Sequence, residues 1–318
     1  MEKLRRILTK EYGLDVQEVR RMSAGVGGET YGVQTPQGKF VYKIADANEM
    51  NHPETEPEIC NYLFEKGLPV SRFIKNKAGS LVTPYDDKRV SHLQNYVEGK
   101  TFLANSAPEW FMRQSPVLLG KIHTALGGYK KLPMGIGPDF FKYMTPERAR
   151  ESYLHSYKEA QRRGEEGILE DLEVRLRFQE KIADWKFDLE KLTYSNSHGD
   201  YTVNQIICGK EKINAVIDWT SACVHPVIWE ITRSFFSAEH SCAEGEINEA
   251  QFRDYVEGYC SEAMLTKYDK DNLLRLYCYQ IGVCDYYAQY LSADEDKKDE
   301  YLSQAKFATK VMRNQLMV

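Results

Sequence analysis

The sequence lacks any uninterrupted stretch of about 18 apolar residues, the length that a membrane-spanning helix needs. It also lacks a short apolar segment behind its first residues, where a secretory signal would lie. Hydrophobic residues nevertheless make up 42% of the 318 positions, which is ordinary for a soluble globular protein. We therefore expect a cytoplasmic protein without a membrane partner, long enough to form two lobes around a sizeable core.

An excess of positive charge is also missing, because the formal net charge is −5. Proteins that bind nucleic acid usually present a basic face, so this balance argues against nucleic acid as the main partner.

The seven cysteines are dispersed, odd in number and never spaced as C-x-x-C. Their pattern disfavours a disulfide framework or a zinc site, and it predicts reduced, buried thiols.

What the sequence does contain is a pair of carboxylates 18 positions apart, each in a setting that suits phosphoryl transfer. Asp200 follows His-Gly, and Asp218 ends a short apolar run and precedes Trp219. Residues 206–217 consist of two strand-like segments around the turn Gly-Lys-Glu-Lys, which predicts a hairpin. Such a hairpin brings both carboxylates to one end of a small sheet. Protein kinases use the same parts, a catalytic-loop Asp and a second Asp that holds Mg²⁺.

The combination of His-Gly-Asp with Ile-Asp-Trp resembles the aminoglycoside phosphotransferase family. That family also includes choline, homoserine and methylthioribose kinases, and it is similar to protein kinases in fold. The resemblance implies that Asp200 orients and deprotonates the attacking hydroxyl and that Asp218 binds Mg²⁺. The alternative is that both residues are loop carboxylates with turn or capping roles. The resemblance covers nearly the whole chain and is strongest over residues 198–218.

One position departs from the family pattern. The family usually has Asn five residues after the catalytic Asp, as a second metal ligand, whereas this sequence has Gln205 there and Asn204 one residue earlier. A Gln carbonyl can bind a hard cation, and maltose-type kinases of the family are similar in carrying Gln. We therefore assign the second metal position to Gln205, with Asn204 as the alternative after a one-residue loop shift. The departure also motivates a second hypothesis, a catalytically inactive, kinase-like nucleotide-binding or scaffold module.

A glycine-rich segment near the start of the chain contains Gly25, Gly27 and Gly28 and lacks the Gly-Lys-Ser/Thr of a Walker A loop. Glycine lets backbone N–H groups approach phosphates closely, so the segment is either a phosphate-covering hairpin or a plain β-turn. The strand that follows carries Lys43, to which the resemblance assigns the α- and β-phosphates. Lys39, on the same strand, fits a solvated lysine better.

The resemblance also implies a partner for this lysine and a binding site for adenine. Residues 54–66 predict a helix, and by family spacing Glu56 pairs with Lys43, with Glu58 as the near competitor. The predicted strand over 90–97 leads into the hinge between the lobes, whose main chain we expect to contact the base. The hinge residues are Gln94, Asn95, Tyr96 and Val97.

Helical periodicity dominates the rest of the chain. His123 is assigned no chemical role, and Glu230 either braces the catalytic loop, as an Asp near this position does in the family, or lies on the surface. Tyrosines that recur between 255 and 290 fit core packing better than a cage for a cationic substrate. Acidic residues such as Asp285 and those at 294–296 either attract a cationic acceptor or form a solvated face, which we favour. The predicted helices span residues 109–126, 145–163, 168–192, 250–262, 271–291 and 294–312.

These observations predict an α+β, bilobal, protein-kinase-like fold. Residues 1–98 form the nucleotide-binding lobe, a small antiparallel sheet with one helix, and residues 99–318 form a larger, mostly helical lobe. The predicted function is an ATP- and Mg²⁺-dependent kinase, a monomer or homodimer, that phosphorylates a hydroxyl group of a small molecule. Aminoglycosides, amino alcohols, homoserine and sugar-like metabolites are all candidate acceptors. A protein kinase is disfavoured because no Ala-Pro-Glu follows Asp218.

Overall fold

The computed structural model describes residues 1–22, 28–46 and 52–317, with the backbone alone at residue 296. The chain begins with helix α1 (Glu2–Ile7), which continues as a wider turn through Leu8–Tyr12. Six strands and helix α2 (Thr55–Glu65) then complete the first lobe. The strands are β1 (Glu18–Arg21), β2 (Gly28–Thr35), β3 (Gly38–Asp46), β4 (Phe73–Ile74), β5 (Thr83–Pro84) and β6 (Arg89–Asn95).

The strands of this lobe form one antiparallel sheet in the order β1-β2-β3-β6-β4, with β5 paired to β6. Alternation along β3 sends Tyr42 and Ile44 into the core and leaves Lys43 on the opposite face. In the register of the sheet, Lys43 lies between Thr30 on β2 and His92 on β6. The sheet therefore holds Lys43 on a central strand, where its neighbours limit its movement.

The second lobe is mostly helical and contains two short strand pairs. Strand β7 (Tyr194–Ser197) pairs with β10 (Cys223–Pro226), and β8 (Ile206–Cys208) pairs with β9 (Ile213–Val216), so the predicted hairpin is present. The helices are α3 (Glu109–Leu126), α4 (Pro138–Tyr143), α5 (Pro146–Arg163), α6 (Leu169–Ile182), α7 (Val227–Ala238), α8 (Glu249–Cys260), α9 (Lys267–Val283), α10 (Tyr286–Ser292) and α11 (Glu295–Met317).

The helix predicted over 168–192 is ten residues too long, because α6 ends at Ile182. The segment that follows is held by tertiary contacts that a helix could not make. Phe187 packs against Phe141 and Tyr279, with ring centroids 5.5 and 5.4 Å away. The backbone N–H of Asp188 donates to the Tyr268 hydroxyl at 2.7 Å. These contacts outweigh the local helix propensity.

The single helix predicted over 271–291 is also wrong, since it is divided into α9 and α10 at Cys284 and Asp285. The last carbonyl groups of α9 find side-chain donors elsewhere. The Tyr153 hydroxyl donates to the carbonyl oxygens of Gly282 and Cys284 at 2.7 and 2.9 Å. Asp285 then caps α10 by accepting from the N–H of Ala288 at 2.9 Å. The break is stable because both helix ends keep their hydrogen bonds.

Buried apolar side chains form two clusters. The smaller one lies between α1 and the sheet and includes Leu8, Tyr42 and Leu93, all fully buried. The larger one fills the helical lobe, and α2 contributes Ile59 and Leu63 to it. Helix α2 therefore packs the first lobe onto the second.

The predicted boundary at residues 98 and 99 lies between β6 and α3 and stays a prediction. Within the described residues, no helix is both long and apolar enough to cross a membrane.

Candidate active site

A cleft of about 560 Å³ lies between the six-stranded sheet and the β8–β9 hairpin. Most of the residues that the sequence assigns to nucleotide and metal binding line it. Gly25 and Gly27 lie outside the described residues, and Asp200 does not line this cleft. The predicted residues on its walls are Gly28, Lys43, Glu56, Gln94, Asn95, Tyr96, Val97, Gln205 and Asp218.

Gly28 occupies a position that is closed to larger residues. A Cβ atom there would lie 2.7 Å from the carbonyl oxygen of Ile44 on the neighbouring strand. The absence of a side chain lets β2 and β3 approach each other at the roof of the cleft. Glycine is therefore needed at this position for strand packing.

Lys43 lies at the centre of the cleft between two carboxylates. Its Nζ is 3.2 Å from Oδ1 of Asp218 and 3.7 Å from Oε2 of Glu56. Burial by itself lowers the pKa of Lys43, but the two carboxylates outweigh burial and raise it. Burial likewise favours a raised pKa at Asp218, but Lys43 and a hydrogen bond from Thr220 lower it. The ammonium and the Asp218 carboxylate are thus both held in their charged forms.

Glu56 is buried and links α2 to the loop after β9. Its Oε1 accepts the backbone N–H of Trp219 at 3.2 Å, while its Oε2 faces Lys43. Burial raises the pKa of Glu56, an effect that Lys43 opposes. The competitor Glu58 points away from the cleft and pairs with Lys130 at 2.5 Å. Of the two carboxylates, only Glu56 lies near Lys43.

Asp218 has a left-handed backbone, with φ 61° and ψ 68°. This conformation costs a non-glycine residue on the order of 1–3 kcal/mol and is common where function dictates the backbone. Both hydrogen bonds described for the carboxylate reach Oδ1, from Lys43 at 3.2 Å and from Thr220 at 2.8 Å. The strained backbone therefore turns Asp218 into the cleft with Oδ2 open.

The predicted hinge, residues 94–97, lines the far end of the cleft. Two of its backbone N–H groups already have acceptors in the protein, Asn95 at the carbonyl of Arg72 (2.9 Å) and Tyr96 at the carbonyl of Lys39 (3.2 Å). For the N–H of Val97 no acceptor occurs within the described residues. Among the described residues, Val97 therefore offers an open main-chain donor in this segment.

The His198-Gly199-Asp200 loop is tied to the hairpin by its histidine. His198 donates from Nε2 to the carbonyl oxygen of Ile217 at 2.9 Å and accepts from the backbone N–H of Asp200 at Nδ1, 3.2 Å away. Gly199 has φ 81°, and a Cβ there would collide with the carbonyl oxygen of Ser221. One imidazole thus sets the spacing between the Asp200 loop and the residue that precedes Asp218.

Glu230 on α7 braces the same loop from beneath. It accepts the backbone N–H groups of Gly199 at 2.6 Å and His198 at 3.3 Å, and its Oε2 lies 2.9 Å from Nε2 of His123. Burial by itself would raise the pKa of this fully buried carboxyl, but His123 and the neighbouring histidines lower it to about 2. The structure therefore agrees with the interpretation that Glu230 braces the loop, and not with the interpretation that it lies on the surface. His123 orients Glu230 and does not reach the cleft.

Asp200 itself contacts one residue on each side. Arg233 donates to its Oδ1, and Nε2 of Gln205 donates to its Oδ2 at 3.3 Å. The neighbouring Asn204 is exposed and accepts from the hydroxyl of Thr202 at 2.6 Å. Gln205 lines the nucleotide cleft and Asn204 does not. Gln205 is therefore the amide that lies beside both Asp200 and the cleft.

A second cavity of about 480 Å³ begins on the other side of Asp200. Arg233 and Thr202 line it next to the loop. Its other walls come from α7, α9, α10 and α11 and from the segments at residues 104–105 and 243. Of the recurring tyrosines, Tyr277 and Tyr286 line this cavity, and most of the others are buried in the core, as predicted. Asp200 therefore lies between two cavities and contacts a residue of each.

Arg233 is a site residue that the sequence patterns did not predict. It lies one helical turn after Glu230 on α7, so both residues face the loop that carries Asp200. Its guanidinium also lies 5.3 Å from the ring of Trp229. The i, i+3 spacing of Glu230 and Arg233 was the available signal, because a residue on the same face as a loop brace reaches the same loop.

Comparison with known proteins identifies the family. The profile of the phosphotransferase enzyme family (APH) matches residues 18–270, which include the glycine-rich segment and both carboxylate motifs. The chain belongs to this phosphotransferase enzyme family. The predicted resemblance to aminoglycoside phosphotransferases and their relatives is therefore confirmed.

A homoserine kinase of Methylobacillus flagellatus is 22% identical to this family member over 223 residues. The match covers 70% of the present chain, and it spans 64% of the length of the homoserine kinase.

Solved structures share the fold across the whole chain. The amicoumacin kinase hAmiN in complex with AMP-PNP, Ca²⁺ and Ami has a TM-score of 0.67 at 12% identity, over 98% of this chain and 93% of its own. The spectinomycin phosphotransferase APH(9)-Ia, in complex with ADP and spectinomycin, has a TM-score of 0.65 at 15% identity, over 100% and 98%. A microcompartment-associated aminopropanol kinase has a TM-score of 0.64 at 14% identity, over 99% and 97%. The predicted α+β, kinase-like fold is confirmed.

Proposed function

We propose that this member of the phosphotransferase family transfers the γ-phosphoryl group of Mg·ATP to a hydroxyl group of a small molecule. The observation that carries the proposal is the position of Asp200. One of its carboxylate oxygens contacts Gln205 of the nucleotide cleft, and the other contacts Arg233 of the second cavity. A carboxylate between two cavities can serve a donor on one side and an acceptor on the other.

The larger cleft is the proposed nucleotide site. Lys43 offers its ammonium to the α- and β-phosphates, and the Glu56 carboxylate keeps it in position from behind. The N–H of Val97 is the proposed main-chain donor to the base, within the segment 94–97. The solved relatives that hold AMP-PNP or ADP support this assignment.

The chemistry of Asp218 and Gln205 fits a hard cation. Asp218 offers an open carboxylate oxygen, and Gln205 offers its carbonyl oxygen, since its Nε2 is engaged by Asp200. We propose that these two residues hold Mg²⁺, which when bound neutralises charge on the transferred phosphate. The position of Gln205 also accounts for the sequence departure that motivated the inactive-module hypothesis.

Asp200 is the proposed catalytic residue. It accepts a hydrogen bond from the acceptor hydroxyl and aligns its oxygen with the γ-phosphorus. The acceptor oxygen forms a bond to that phosphorus as the bond to the β-phosphate oxygen breaks. The hydroxyl proton goes to the Asp200 carboxylate, and ADP leaves. His198 and Glu230 contribute by holding the loop in the geometry that this alignment needs.

The proposal is tested by Mg²⁺-dependent ADP release from ATP across a panel of aminoglycosides, amino alcohols, homoserine, methylthioribose and simple sugars. Asp200→Asn should abolish turnover while nucleotide affinity stays nearly unchanged, because Asp200 does not line the nucleotide cleft. Asp218→Asn should instead weaken Mg²⁺-dependent nucleotide binding. Asp254→Asn, an exposed change on α8, is the matched control and should behave as the wild type.

Two results would contradict the proposal. Equal turnover by Asp200→Asn would exclude the assigned role of that carboxylate. Nucleotide binding without ADP release on any hydroxyl compound would favour the inactive module.

A further inference from the structure

The second cavity carries an unusual set of charges for a site next to a catalytic carboxylate. Three cationic residues line it, Arg233, Lys306 and Lys310. Among the residues whose side chains the structure describes, 1–22, 28–46, 52–295 and 297–317, no aspartate or glutamate lines it. A polycationic acceptor would need carboxylates on these walls, and the described walls provide only cations and neutral groups.

The three cations differ in how far they are already neutralised. The Nζ of Lys310 lies 2.9 Å from Glu244 and 3.1 Å from the carbonyl oxygen of Ala243, so its charge is used within the protein. Arg233 is paired with Asp200 through one nitrogen, and its buried Nε has no hydrogen-bond partner among the described residues. A guanidinium has five N–H donors, so Arg233 can bind a further acceptor group.

Lys306 is the cation that is left without a counterion. It is exposed on α11 at the wall of the cavity, and no carboxylate in the described part of the chain lies within ion-pair distance of it. The cavity thus combines a free ammonium, an incompletely satisfied guanidinium and two tyrosine side chains, Tyr277 and Tyr286.

Asp285, Asp294 and Glu295, which the sequence offered as cation attractors, do not lie on these walls. Asp285 accepts hydrogen bonds from the hydroxyls of Ser152 and Ser156 at 2.7 and 2.8 Å, in addition to capping α10. It is a structural residue of the helical lobe.

We propose that the acceptor of this kinase carries an anionic oxygen group, a carboxylate or a phosphate, in addition to its hydroxyl. The inference rests on the proposed function and names the substrate class for the same site. Lys306 and the spare N–H groups of Arg233 bind the anionic group, and the hydroxyl is directed to Asp200. Opposite charge at the cavity wall favours the anionic acceptor, and it disfavours a cationic one for the same reason.

The test compares acceptors that differ in a single charged group. The carboxylate series is 4-hydroxybutyrate, 1,4-butanediol and 4-amino-1-butanol, and the phosphate series is glycerol 3-phosphate and glycerol. A wider set of hydroxylated metabolites, sorted into anionic, neutral and cationic classes and including aminoglycosides, is assayed in parallel. We expect kcat/KM to be at least about tenfold higher for the anionic class, and the two series tell carboxylate from phosphate.

Lys306→Glu is the decisive variant. It should raise the KM for the best anionic acceptor about tenfold or more, while kcat and the KM for ATP stay close to wild type. Lys306→Arg should restore the wild-type KM. The matched control is Lys297→Glu, an exposed lysine about 13 Å away along the same helix, which should change neither constant by more than about twofold.

The outcomes separate the inference from the function on which it rests. Turnover that is highest with neutral or cationic acceptors, or an unchanged KM in Lys306→Glu, overturns the anionic acceptor and leaves the kinase proposal standing. An absence of ADP release with every charge class overturns the kinase proposal and the inference with it.

Discussion

At the scale of single residues, Glu230 on α7 holds the loop that carries Asp200. Glu230 is fully buried, yet its pKa lies at about 2, because His123 and the other nearby histidines outweigh the effect of burial. The same carboxylate accepts the backbone N–H groups of His198 and Gly199, which directly precede Asp200. The same contacts stabilise the fold and order the loop.

Glu230→Gln should lower both activity and stability. The neutral amide keeps the size of the side chain, but it loses the charge-assisted bonds to His123 and to the loop. We expect kcat to fall about tenfold or more and the free energy of unfolding to fall by about 2–4 kcal/mol. Steady-state kinetics and thermal unfolding measure the two effects.

Glu262→Gln serves as the control for this variant, because Glu262 is exposed and its pair with Lys121 lies at the surface. It should change neither quantity. A Glu230→Gln variant with wild-type kcat would contradict the assigned brace.

At the scale of elements, the sequence patterns predicted the hairpin and most helices but not the break between α9 and α10. A turn flanked by strand-like residues predicts a hairpin, and this signal is local in the sequence. The break at Cys284 and Asp285 has no proline or glycine of its own. It depends on hydrogen bonds from Tyr153 on α5 and Arg175 on α6, which are distant in the sequence. Periodicity cannot detect contacts of this kind.

Asp285→Ala should destabilise the helical lobe without changing the KM for the hydroxyl substrate. The change removes the cap of α10 and leaves the hydroxyls of Ser152 and Ser156 without their acceptor. We expect a loss of about 2 kcal/mol in the free energy of unfolding, since a cap alone contributes about 1 kcal/mol. Thermal unfolding measures this loss, and acceptor KM should stay at the wild-type value.

The matched change is Asp299→Ala on the exposed face of α11, which should leave stability within about 0.5 kcal/mol. A large rise in acceptor KM in Asp285→Ala, with unchanged stability, would show that Asp285 attracts a cationic acceptor after all.

At the scale of the whole molecule, each lobe contains a buried neutral histidine. Burial lowers the pKa of His92 in the sheet from 6.5 to about 3, and it lowers the pKa of His225 in the helical lobe from 6.5 to about 4. His225 is held by the N–H of Ile136, which donates to its Nδ1 at 2.9 Å. In the unfolded chain both histidines take up protons below about pH 6.5. The contribution of each is therefore complete above pH 6.5 and is lost as the pH falls towards 3 or 4.

Acidification from pH 6.5 to 5 should lower the free energy of unfolding by about 1.5 kcal/mol for each of these histidines. Denaturant unfolding at a series of pH values measures the slope. His225→Asn should be less stable at pH 7, because it loses the bond from Ile136, and its stability should depend less steeply on pH. His52→Asn, at an exposed histidine, should keep the wild-type slope, and an equal slope in His225→Asn would refute this account.

The sequence by itself predicted the family and the kinase-like fold, which are confirmed, and it supplied the site residues on which the proposed chemistry rests. Motifs such as His-Gly-Asp and Ile-Asp-Trp are local, so residue types and spacing are enough to recognise them, and the proposed phosphoryl transfer requires such carboxylates. Tertiary structure alone decided which nearby candidates face the cleft, because Glu56 and Glu58, or Asn204 and Gln205, differ only in direction. It also decided that Arg233 and Lys306 share a cavity, since α7 and α11 meet only in the folded chain. The charge of a cavity wall comes from side chains that are far apart in the sequence, and only the packing of the folded chain brings them together.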